Sequence, residues 1–62
     1  MTDQAEIMAR ARELAIAHFK PSLVRERAFR NGAYDQGTDV TRFIPQAEAE
    51  LIRDRQENTE VE

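Results

Sequence analysis

The chain contains no cysteine and no tryptophan, and 62 residues hold only one histidine, two glycines and two prolines. Without a thiol there is no disulfide, and the lone His18 cannot build a structural zinc site, so both usual supports of very small domains are missing. Two glycines also exclude a glycine-rich loop that cradles phosphate. Large apolar side chains are scarce as well: Leu, Ile, Val and Phe supply 13 residues, while Ala alone supplies nine. A chain this short buries only roughly 60% of its unfolded surface. The core is therefore thin, and oligomerisation or a protein partner is the remaining support. No apolar run approaches the roughly 18 residues of a membrane span. The opening Met1-Thr2-Asp3 has no positive charge followed by an apolar stretch, as a secretion signal needs, which makes a cytoplasmic location the expectation.

Charge is present in both signs, nine basic against twelve acidic residues, but it is unevenly placed. Residues 20–45 carry five basic and three acidic groups, and residues 46–62 carry two and six. The middle is basic and the end acidic, with each block modest enough to be a solvated helix face.

Hydrophobic spacing predicts helices throughout. Asp3 with Glu6 forms a capping-box signature ahead of Gln4 to Phe19, a stretch free of Pro and Gly. Within it Ile7, Ala11, Leu14 and His18 fall on one line, with Met8, Ala15 and Phe19 beside it and Ile16 outside it. Pro21 interrupts this helix and suits the first turn of a short second one through Ser22 to Arg30, stopped by Asn31-Gly32. In that helix Leu23, Val24, Ala28 and Phe29 are expected to face the first. Gly32 to Thr41 reads as the main loop. A last helix holds Gln46 to about Arg55, with Pro45 in its first turn. The expected division is a single helical domain over 1–52 and a polar tail over 53–62 that frays.

Chemistry-bearing residues are few. His18 has no Cys in the chain and no acid at i+3 or i+4, so its expected role is to end the apolar stripe at a helix C-terminus rather than to bind metal or catalyse. Asp35-Gln36-Gly37-Thr38-Asp39 has the carboxylates of a calcium loop without its oxygen count, since the position that needs a Glu is Gln46, and it reads as a turn. Lys20, Arg25, Arg27, Arg30 and Arg42, interleaved with Phe29 and Tyr34, form a set able to contact phosphates or nucleic acid. A helix-turn-helix is excluded by a gap of more than about ten residues before an acidic third helix. The acidic set Glu48, Glu50, Asp54, Glu57, Glu60 and Glu62 suits solubility or docking on a basic protein.

Two pieces, Glu6-Ile7-Met8-Ala9-Arg10-Ala11 running to Ala17-His18-Phe19 and the later Phe43 to Ile52, resemble short uncharacterised open reading frames of bacteriophages and prophages, especially those of alphaproteobacteria. The resemblance covers about half of the chain and brings no catalytic or binding residues with it. It implies a mobile-element source and a small accessory protein that binds a larger partner.

The expectation is an all-α fold of two main antiparallel helices with a short helix or helical turn between them. Ile7, Ala11, Leu14, Ala15 and Phe19 would meet Val40, Phe43, Ile44, Ala47 and Leu51, with Leu23, Val24 and Phe29 closing one end. The functional expectation is a non-enzymatic protein-protein interaction module, paired as a homodimer or with a larger protein, with no cofactor or small-molecule substrate. Nucleic-acid binding through the basic middle and inhibition of a nucleic-acid-binding enzyme by the acidic end are the alternatives.

Overall fold

A computed structural model describes residues 3–61, with side chains described over 3–56. It is all-helical among the described residues: α1 (Gln4–Phe19), α2 (Leu23–Arg30), α3 (Thr38–Thr41) and α4 (Ile44–Val61). The two long helices run antiparallel. Glu6 meets Arg55 at 3.0 Å and Arg10 meets Glu50 at 3.0 Å near one end, while His18 and Phe43 lie with ring centroids 5.5 Å apart near the other. The molecule is a rod of 42 × 19 × 16 Å.

Helix α1 is the hub, because α2, α3 and α4 each pack against it. Its fully buried alanines, Ala11 and Ala15, together with Ala47 of α4, let backbones approach where larger side chains would hold them apart. Ile7, Ile16, Phe29 and Val40 complete one continuous core, with Met8, Leu14, Tyr34, Phe43, Ile44 and Leu51 packed around it. Ile16 corrects the expected stripe. It lies about 140–180° round the helix from Ile7, Ala11 and Leu14, yet is buried, and α1 packs against α2 and α3 as well as α4.

The helix ends follow local chemistry. Asp3 caps α1 by accepting from the Ala5 amide at 3.2 Å. Glu6, expected to complete the box, reaches across to Arg55 instead. Lys20, ahead of Pro21, leaves the helix in the left-handed region at φ 50°, its N–H donating to the Ile16 carbonyl at 2.8 Å. Helix α2 ends in a Schellman motif, with the Ala33 amide donating to the Ala28 carbonyl at 2.9 Å and the Gly32 amide to Phe29 at 3.1 Å. Gly32 sits at φ +88°, which a side chain would strain.

Two expectations change here. The loop over Gly32 to Thr41 contains a helical turn, α3, where Thr41 donates through Oγ1 to the Gly37 carbonyl at 2.7 Å and Val40 is driven fully into the core. The last helix begins at Ile44, with Pro45 in its first turn where no backbone donor is needed, and its backbone runs past the expected boundary at Ile52 to Val61. Asp54 and Arg55 hold this stretch to α1. The side chains of 57–62, where fraying was expected, lie outside the described residues. No helix among the described residues is long and apolar enough to cross a membrane.

Candidate functional site

Helix α2 turns Phe29 into the core and has room for little else on that side, since eight residues make barely two turns. At about 100° per residue, Leu23, Arg27 and Val24 lie within about 100° of one another on the opposite face. Leu23 and Val24 are each 79% exposed. This corrects the expectation that both close one end of the core: Phe29 takes the inward position, and the same helix cannot bury both arcs. Phe19, placed in the core by its spacing, is 40% exposed at the end of α1. Its ring stacks near that of Phe29 at 6.4 Å and meets Phe43 edge-on at 6.3 Å, so it is held from inside and open outside.

An aromatic row continues from this point. Phe29 meets Tyr34 at 4.4 Å, and His18 meets Phe19 at 4.8 Å and Phe43 at 5.5 Å. Arg42 lies over the rings of Phe19 and Phe43, 5.9 and 5.5 Å from their centroids, a geometry that suits cation–π attraction. His18 itself is exposed, and no three His, Asp or Glu side chains among the described residues converge as metal ligands would.

Ion pairing sorts the charged residues. Arg10 holds both Glu50 and Asp54, at 3.0 and 3.2 Å, and so neutralises part of the acidic set. Arg12 donates to Asp35 through two parallel hydrogen bonds, one from Nε at 2.9 Å. The guanidinium, first through these bonds and then through its charge, holds the Asp35 carboxyl below its ordinary range against the opposing effect of burial. Arg30, one of the five expected phosphate contacts, is taken by Glu13 and lies within 3.8 Å of Glu26. Lys20, Arg25 and Arg27 have no ion-pair partner among the described residues, and Arg42 has only rings.

The remaining sequence-selected packing residues fall as follows. Ile7 and Ala11 are buried, and Leu14, Phe43, Ile44 and Leu51 are half-buried against the core. Asp35 and Asp39 do not converge on a cation site, because Asp35 is turned to Arg12. Glu57, Glu60 and Glu62 lie outside the described side chains. The site that spacing missed is the outer face of α2. Its signal was the pair Leu23-Val24 in a helix too short to bury both those residues and Phe29.

No family model, no curated protein and no solved structure matches the chain.

Proposed function

We propose that the chain is a non-catalytic interaction module that docks on another protein through the outer face of α2. The observation that carries this reading is the exposure of Leu23 and Val24. A chain with only 13 large apolar side chains of these types keeps two of them in solvent side by side, on a helix whose core-facing position is already filled. Apolar side chains clustered on one face gain most when a second protein covers them. The unpaired Arg27 between them, with Lys20 and Arg25 nearby in the chain, selects a partner surface that carries carboxylates. The likeness of the two Ala-rich segments to phage reading frames points the same way, to an accessory protein acting on a larger one.

A second reading has its own support. Four cations without carboxylate partners, Lys20, Arg25, Arg27 and Arg42, are what a phosphate backbone requires, and this reading predicts binding that weakens steeply as salt rises. It leaves Leu23 and Val24 without a role, which is why docking on protein is preferred.

The test compares the natural chain with Leu23→Asp/Val24→Asp in gently lysed cells of its source, fractionated by size. The docking reading expects the natural chain well above its 7.2 kDa and the variant, equally helical, at its own mass. A natural chain that elutes at its own mass overturns the reading.

A further inference from the structure

The outer face of α2 has a counterpart elsewhere on the same molecule. On α4, Ile52 is 42% exposed, with Glu48 one turn before it and Gln56 one turn after it. Glu48 has no ion-pair partner among the described residues, whereas Glu50 and Asp54, about 160° round the helix from Ile52, are both held by Arg10. Each exposed apolar patch thus has one uncompensated charge a turn away, and the two charges are opposite: Arg27 beside Leu23 and Val24, Glu48 beside Ile52. The flanking chain repeats the contrast, since residues 20–45 are basic and residues 46–62 acidic.

We infer that the occupant of the α2 face is a second copy of this chain, which lays the outer side of its α4 around Ile52 on Leu23 and Val24 so that Glu48 meets Arg27. A twofold axis makes the contact twice. Leu23, Val24 and Ile52 of both copies are then covered, and a contact made reciprocally closes the assembly at two. The thin core gives the pairing a second consequence, because association adds to the stability of the folded chain by mass action. The inference rests on the docking reading and names its partner.

Sedimentation equilibrium on the full chain over a wide concentration range tests it, with Arg27→Glu, Glu48→Lys, the double reversal and Leu23→Asp. These side chains are exposed, and matching far-UV circular dichroism shows that each variant has kept its fold. The natural chain is expected to pass from monomer to dimer. Each single reversal is expected to weaken association about tenfold or more, because it places like charges opposite each other twice. The double reversal restores it to within about threefold, and Leu23→Asp removes it. A natural chain that stays monomeric throughout overturns the second copy as occupant but leaves the α2 face open to another protein, which the size fractionation above decides separately. A dimer weakened further by the double reversal overturns the Arg27–Glu48 pairing and with it this arrangement. A dimer indifferent to Leu23→Asp overturns both the arrangement and the α2 face as the docking surface.

Discussion

Arg12 holds Asp35 directly over Gly32, so that one ion pair joins the hub helix to the turn that follows α2. A Cβ at Gly32 would stand 3.0 Å from Asp35 Oδ2 and 3.4 Å from Arg12 Nη2. The glycine is needed twice, for its left-handed backbone and for the space the pair occupies.

Gly32→Ala is accordingly expected to cost about 1–2 kcal/mol from the backbone alone, with a further loss from displacing the pair. In an Asp35→Ala background the second part has already gone, so the cost of Gly32→Ala falls. Urea unfolding of the four chains in this cycle measures the coupling, and strictly additive losses would contradict it.

Asp35 titrates below its ordinary range in the folded chain. A carboxyl of this kind contributes stability that is fully present above the unfolded value of about 3.9 and is lost as pH falls through the lower, folded one. Asp35→Asn is expected to cost about 1–2 kcal/mol at neutral pH, as for a bidentate pair only partly screened by water. The gap to the natural chain should narrow at about pH 3. Equal gaps at both pH values would show that Arg12 does not stabilise the charged form.

Ile16→Ala removes a buried side chain from the hub and is expected to destabilise by about 2–4 kcal/mol. Leu23→Ala should stay within about 0.5 kcal/mol under dilute conditions. Thermal unfolding of the two variants side by side checks the assignment, and a reversal of the order would place α2 the other way round.

The two N-caps should also behave differently. Asp3 accepts a hydrogen bond from Ala5, so Asp3→Ala is expected to cost about 0.5–1 kcal/mol. Ser22 precedes α2 without a side-chain cap bond, and Ser22→Ala should be nearly neutral. Urea midpoints for both decide this.

The long helices were legible in the sequence because Asp3 and Pro21 bracket α1, Pro45 marks the first turn of α4, and a 3.6-residue period runs through both. Local spacing does not show how many neighbours a helix has. Ile16 lies off the single stripe because a stripe assumes one partner, and α1 has three. Leu23, Val24 and Phe29 all looked inward for the opposite reason, since three large residues in a two-turn helix point in different directions and only the fold decides which is covered. Glu6 satisfied the capping-box spacing, but Arg55, far away in sequence, offered it a charge. The basic set was visible as a list of cations. That Glu13 takes Arg30 and leaves Arg27 between two exposed aliphatic side chains required the packing of α2 on α1.

The most direct test of the α2 face is a photo-reactive side chain placed at Val24 and, as a control, at Ala17, an exposed position on α1. On illumination inside cells, the account predicts a discrete protein adduct from position 24, absent from position 17 and abolished by Leu23→Asp. Adducts of equal yield at both positions, or none at position 24, would contradict it.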